Sequence, residues 1–258
     1  MFTLVSFYQS IDPAAVYTAI NAVLDQHVRV NGTDLFVPEL NKIVAAAAGV
    51  ETTVESFMRL TSPSMRAMAR FQIAPFNGAA AGAVEPASPH VITDLRTSPF
   101  ELVAQETLNA ELNSNPAAAQ IQWALIWLAD APIAPVNGKM FTTRATGATA
   151  LVAGTWTPVP VTFDEDLPRG RYQLVGMRCR STGCIAGRMN FIGGRWRPGC
   201  MGVDAQTDLE HPMFRNGGLG VWGEFEDVDT PSVEVLSVSA DAAQSFEFDL
   251  IQVRSGPA

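Results

Sequence analysis

From residue 86 to the C-terminus the chain reads as one long series of short β-strands punctuated by Gly, Pro, Asp and Asn turns. Candidate strands fall at 90–94, 101–113, 119–128, 140–145, 148–153, 159–163, 172–180, 184–191, 220–225, 233–238 and 246–253. The separators are turn formers, among them Asn113-Ser114-Asn115-Pro116, Val136-Asn137-Gly138, Ser181-Thr182-Gly183 and Asp229-Thr230-Pro231. Period-two patterning gives the strands their faces. Phe246, Phe248 and Leu250 point one way and Glu247 and Asp249 the other, as in a half-buried antiparallel strand. Leu108, Ala110 and Leu112 alternate with Asn109 and Glu111 in the same manner. Residues 121–128 are apolar on both faces, with Trp123 and Trp127 on the same side, so this strand needs cover from N-terminal helices or a neighbouring subunit. So many strands exceed what an immunoglobulin-type sandwich needs and fit an eight-stranded jelly roll with one or two additions.

The first 85 residues read differently, as a helical or mixed region. Asp12 is placed as an N-cap with Pro13 at the first helical position, and Val16, Ala19, Ile20, Val23, Leu24 and His27 recur at helical spacing. Asn31-Gly32 ends that pattern. A second helix is expected over 37–48, opened by Pro38, with Leu40, Ile43, Val44 and Ala47 on one face and Gly49 as the C′ residue. Two stretches, 54–60 and 65–73, flank Ser62-Pro63-Ser64 without declaring a type, and 77–89 reads as a linker. The expected division is therefore 1–85, helical or mixed, and 86–258, a mainly β antiparallel sandwich.

Charge narrows the function. Only 17% of residues are charged, below the roughly 25% of ordinary soluble domains, which hints at surface covered by neighbours. The formal net charge is −9, with 17 Lys+Arg of which only Lys42 and Lys139 are lysines, and neither end carries a basic tail. Direct nucleic-acid binding through clustered cations is not expected. The N-terminal residues show neither a basic n-region nor a long apolar core, and no run of about 18 apolar residues occurs, so neither a signal peptide nor a membrane-spanning helix is expected.

No catalytic, cofactor-binding or metal-ligating set emerges. Gly218-Leu219-Gly220-Val221-Trp222-Gly223 matches a dinucleotide fingerprint, but Glu224-Phe225-Glu226-Asp227 follows instead of a helix, and a glycine-rich corner is the better reading. The three histidines, His27, His90 and His211, lack the companions of a nucleophile triad or a zinc motif; His27 is expected near a helix C-terminus and His211 in a turn. Cys179, Cys184 and Cys200 are read as free thiols; a hairpin disulfide between Cys179 and Cys184, or a metal shared with Cys200, are the alternatives. Asp164-Glu165-Asp166 and Glu224-Phe225-Glu226-Asp227-Val228-Asp229 read as solvated loop charge before a calcium site or a paired-carboxylate hydrolase. Trp123, Trp127, Trp156, Trp196 and Trp222 read as core or interface before sugar-stacking platforms, and Arg195-Trp196-Arg197-Pro198-Gly199 as a basic-aromatic turn able to touch a partner but too small for a nucleic-acid site. Asn31-Gly32-Thr33 forms a glycosylation sequon that carries little weight without a secretion signal.

Three stretches carry a resemblance: FELVAQETLNAELNSNPAAAQIQWALIWLAD (100–130), LPRGRYQLVGMRCRSTGCIAGRMNFIGGRWRPG (167–199) and MFRNGGLGVWGEFEDVDTPSVEVL (213–236). In strand order and texture this region resembles the jelly-roll coat proteins of small icosahedral phages. The resemblance implies a major capsid protein that self-assembles into a shell, resides in the virion, and has copies of itself and other virion proteins as partners. It further implies that the genome is neutralised by another protein or held behind an internal membrane, because the basic arm of some coat proteins is missing here. The N-terminal third departs from a plain single jelly roll, leaving a compact double jelly roll as the alternative architecture. The alternative function is a β-sandwich module binding carbohydrate or a host surface, such as a spike or tail component; a carboxylate enzyme ranks behind both.

Overall fold

The computed structural model describes residues 1–12, 14–50, 56–66, 71–73, 76–77, 92–114, 119–206, 208 and 210–255. The chain is mainly β with antiparallel sheets, and it divides into two compact units. Leu4–Pro132 form the first, and Met1–Thr3 join Ile133–Ala258 in the second.

The strands of the first unit are β1 Phe2–Ile11 (from Leu4 onward), β2 Thr18–Ile20, β3 Val30–Asn31, β4 Asp34–Phe36, β5 Lys42–Val50, β6 Ser56–Thr61, β7 Phe71–Ile73, β8 Phe76–Asn77, β9 Thr93–Asp94, β10 Phe100–Glu101, β11 Thr107–Ser114 and β12 Gln120–Ala129. One sheet runs β1-β12-β5-β10, with β8 and β9 also on β5. The other runs β3-β4-β11-β6-β7, with β2 also on β11. With β2–β4 taken as one interrupted strand and β8–β10 as another, eight positions result. The sheets then order them first-eighth-third-sixth and second-seventh-fourth-fifth.

The second unit contains β13 Met140–Gly147, β14 Thr157–Val159, β15 Thr162–Phe163, β16 Gly170–Ser181, β17 Cys184–Asn190, β18 Gly199–Met201, β19 Val203–Asp204, β20 Gly223–Glu226, β21 Ser232–Ser237 and β22 Gln244–Ser255. Its sheets are β15-β13-β22-β16-β19, with β20 also on β16, and β14-β21-β17-β18. Without the two-residue strands β15 and β19, the order is again first-eighth-third-sixth and second-seventh-fourth-fifth. Alternation explains the faces: Phe246, Phe248 and Leu250 are buried, and their neighbours Glu247 and Asp249 turn to the opposite side.

The helical reading of the N-terminal third is overturned. Among the described residues the only α-helix is the single turn α1, Pro63–Arg66. The expected helix after Asp12 is replaced by β2, whose Ala19 and Ile20 pair with Glu111 and Ala110; Pro13 itself lies outside the described residues. The helical stripe does not hold together, since Ile20 is buried while Leu24 is 78% exposed. Backbone groups here serve β1 instead: Tyr8 N–H donates to the Asn21 carbonyl and Val23 N–H to that of Ser6, both at 2.9 Å. Ten residues from Phe2, rich in aromatic and β-branched side chains, form the strand β1.

The second expected helix, 37–48, is occupied by strand β5. Alanine favours helices in isolation, but propensity is a weak prior against packing. Here the small side chains face tryptophans. Trp123 pairs with Gly49, Leu125 with Ala47 and Trp127 with Ala45 across the β5–β12 ladder. A Cβ on Gly49 would lie 2.4 Å from the Trp123 ring. Ala45 through Ala48 and Trp127 have no exposed surface, so the two strands share one volume, filled mainly from β12. Of the doubly apolar stretch 121–128, Ile121 is half-buried and 122–128 are buried within this chain, so no neighbouring copy is required to cover it.

The strand readings from residue 101 onward fare better. All but one of these stretches overlap β10–β17 and β20–β22, within a few residues. The exception is 148–153, which holds no strand beyond an isolated bridge at Ala153, and β18 and β19 went unread. Thr93–Asp94 occupy the end of the expected strand at 90–94, whose first two residues lie outside the described set. So do most of 77–89, the linker reading, and parts of 54–60 and 65–73.

Candidate functional site

The residues singled out by sequence scatter within the fold, and most are absorbed into its structure. Gly217 and Gly220 have φ of +78° and +68°, and the segment leads into strand β20. It is a tight corner: a Cβ on Gly217 would lie 2.1 Å from the Val136 carbonyl oxygen. His211 caps the 3₁₀ turn Pro212–Phe214, its Nδ1 accepting the Met213 N–H at 3.2 Å. His27 lies in a loop where its N–H donates to Asp25 Oδ1 at 2.8 Å, not at a helix end. His90 lies outside the described residues. Asn31-Gly32-Thr33 makes the β3–β4 hairpin turn, with Gly32 at φ +62°.

The three cysteines are free and buried. Cys179 and Cys184 place their sulfurs 3.6 Å apart, a contact and not a bond. The Cys184 contact and burial together push the Cys179 thiol well up, and burial does the same to Cys200. Such thiols are inert, because the thiolate is the reactive species. Among the described residues no group of three or more His, Cys, Asp or Glu side chains could hold a metal ion.

Asp164, Glu165 and Asp166 are exposed on the wall of a 570 Å³ groove that also presents Phe141, Arg144 and Tyr172. Arg144 lies 3.7 Å from Asp164. In the second acidic stretch, Glu224 accepts a 2.7 Å hydrogen bond from Gln173 and pairs with Arg171, while Asp227 accepts the Gly170 N–H at 2.8 Å. These carboxylates hold turns and strands in place.

The largest polar assembly was not read from the sequence. On one face of the β13-β22-β16 sheet, Asp249 is fully buried (0% exposed) yet ionised. Arg215 grips it from Nε at 2.8 Å and Nη2 at 3.0 Å, Asn216 N–H donates at 2.8 Å and Thr142 Oγ1 at 2.8 Å. Burial alone would raise this carboxyl. The hydrogen bonds and the guanidinium charge outweigh it and hold Asp249 below the usual carboxylate range. Arg215 is raised in return, chiefly by its hydrogen bonds to Asp249. The network extends through Glu210 and Glu247, each 2.9 Å from Arg215, to Arg178, and through Asp208 to Arg180. Gly176 makes room for it, since a Cβ there would sit 2.5 Å from Asp249 Oδ2. One signal was available: Arg178 and Arg180 share a period-two face, and Arg178 pairs with Glu247 in the β16–β22 register.

The second unit also carries an aromatic groove of about 420 Å³. Phe2, Phe191 and Trp222 are its buried members, with Phe2 and Trp222 edge to face at 5.6 Å. Trp196 is half-buried beneath Arg195, whose guanidinium lies 4.5 Å from the ring centre. Arg197 is buried; its Nη1 donates to the Gly194 carbonyl at 2.8 Å and its backbone N–H to Thr3 Oγ1 at 3.2 Å. That fastens the 191–198 loop and leaves Ile192 projecting, 73% exposed. Trp123, Trp127 and Trp156 are buried in the units.

Comparison of the chain with protein-family models, with curated proteins and with solved structures finds no match.

Proposed function

We propose that each unit is a jelly roll and that the chain is a major capsid protein, a tandem pair of jelly rolls that self-assembles into a virion shell. The observation that carries this reading is the strand order. Both units place eight successive positions as first-eighth-third-sixth against second-seventh-fourth-fifth. That is the order a jelly roll's two interlocked Greek keys generate, an architecture used by viral coats as well as by lectins and cupins. A single chain that repeats this order favours the coat reading. On this reading the architecture is the double jelly roll and not the single one.

Charge supports the same reading and limits the partners. Residues 4–132 carry six Lys+Arg against twelve Asp+Glu, and the remaining residues carry eleven against fourteen. Much of the second unit's arginine is committed to ion pairs, as Arg171, Arg178, Arg180, Arg188 and Arg215 show. Neither unit offers the clustered cations that direct genome binding requires. Copies of the chain are the principal partners, and other virion proteins or a membrane deal with the genome. The competing carbohydrate-module reading draws little support from its two tryptophans, because Trp222 is only 6% exposed and Trp196 is half-buried beneath Arg195.

Size-exclusion chromatography with light scattering, followed by electron microscopy, tests the proposal. Purified protein is expected to form closed multi-subunit assemblies. A monomer that persists at high concentration from low to high salt would overturn it.

A further inference from the structure

Ile192 and Met1 (73% and 69% exposed) both line the aromatic groove, and Val221, also exposed, directly precedes its Trp222. The projecting Ile192 is therefore a knob beside a hollow floored by Phe2, Phe191 and Trp222. Among its side chains the same lining carries one cation and one anion, Arg195 and Glu224. Arg195 is exposed, and Glu224, already in contact with Arg171 and Gln173, keeps about a third of its side-chain surface open (32%).

Knob with hollow and cation with anion on one patch is the composition of a surface complementary to itself. A two-fold contact brings the same patch from both copies together, so each feature must find its complement within the patch. We propose that this groove is a two-fold contact between two copies of the chain. Ile192 of each copy enters the hollow of the other, and Arg195 of each faces Glu224 of the other. Tryptophan and arginine are the residues on which such contacts concentrate their binding energy, and the rim charges fix register more than affinity. The inference rests on the shell reading, for which it names one of the contacts between copies.

The test uses the full chain in sedimentation velocity, with thermal melts as a folding control. Ile192→Asp alters a side chain that is mostly in solvent, so the melt is expected to stay unchanged while the pairing step weakens by about thirtyfold or more. Arg195→Glu and Glu224→Arg are each expected to pair poorly, since each homotypic contact then opposes like charges twice. An equimolar mixture of the two is expected to pair again. In the mixed contact the two substituted side chains meet each other with opposite charges, and the native Arg195 and Glu224 meet on the other side of the two-fold. Ile192→Asp associating as the wild type does, or a mixture no better than its components, would overturn the proposal. If Glu224→Arg does not fold, Ile192→Asp and Arg195→Glu decide it. Failure of the wild-type chain to associate at all would instead remove the shell reading. Wild-type assembly undisturbed by these variants removes only this contact.

Discussion

Removing the Arg215 side chain should do more than delete a salt bridge; it should reverse how stability responds to pH. Asp249 is fully buried and receives two of its four close hydrogen bonds from Arg215. In Arg215→Met the carboxylate keeps Asn216 N–H and Thr142 Oγ1 but loses its only contacting cation among the described residues. Glu210 and Glu247 lose the same partner, which adds repulsion nearby. Breaking one side of a buried ion pair costs about 3–5 kcal/mol. At roughly 3 °C per kcal/mol, the melting temperature at neutral pH should fall by about 9–15 °C.

The sign of the pH effect separates this account from simple loss of packing. In the wild type the Asp249 carboxyl is depressed on folding. Its contribution is therefore complete above the ordinary aspartate pKa of about 3.9 and is lost as pH falls through the lower folded value. In Arg215→Met burial acts without the guanidinium, so the folded carboxyl moves above its unfolded value. Its penalty is then greatest at neutral pH and is relieved as pH falls through that raised value. The stability gap between the two proteins, from urea unfolding followed by tryptophan fluorescence, should shrink steadily from about pH 7 toward about pH 5. A gap that stays constant across that range, or one below about 1 kcal/mol at neutral pH, would refute the claim that Asp249 is a buried charge held ionised by Arg215.

Gly49→Ala should destabilise by about 1–3 kcal/mol in urea unfolding, because its methyl would meet the Trp123 ring at 2.4 Å; adding Trp123→Leu should recover part of the loss. Gly217→Ala should cost at least about 1 kcal/mol by the same measurement, since φ is +78° and the new Cβ would press on the Val136 carbonyl. Thiol titration with an aromatic disulfide reagent at mildly alkaline pH should find no fast-reacting cysteine in the native chain and all three after denaturation; only one after denaturation would reveal a disulfide.

The C-terminal strands were legible because each announces itself locally. Phe246, Phe248 and Leu250 against Glu247 and Asp249 give the period, and Ser181-Thr182-Gly183 marks the turn between β16 and β17. The N-terminal third misleads a local reading because its decisive partners are distant in sequence. Nothing within 37–49 indicates that Trp123 and Trp127, far along the chain, need small residues opposite them, and without that knowledge four consecutive alanines favour a helix. In 16–24 the apolar spacing fits a helix as well as a strand, and the choice is made by β1 and β11, which take up the backbone groups of 18–23. For the candidate groove, Trp196 and Trp222 could be named in advance. Phe2 could not be joined to them from sequence, since nearly the whole chain separates it from Trp222.

The covered state of residues 121–128 changes what can be said about assembly. A strand apolar on both faces reads as surface awaiting a neighbour, and it proves to be core. Most of the exposed apolar side chains lie elsewhere: Val16, Leu24, Val103, Val152, Ile192, Val221 and Val228 all fall outside the named strands. The outer face of the β13-β22-β16 sheet is meanwhile taken up by the Arg178–Arg180–Arg215 network, whose carboxylates already have their cations. On the shell reading, copies of this chain have little to gain by stacking on that face and more by meeting through turns and strand ends. On that reading a few projecting side chains dominate each such contact. A single tip substitution such as Ile192→Asp should then abolish one class of contact and leave the fold intact, whereas a substitution inside the ion-pair face such as Arg215→Met should lower stability before it touches assembly.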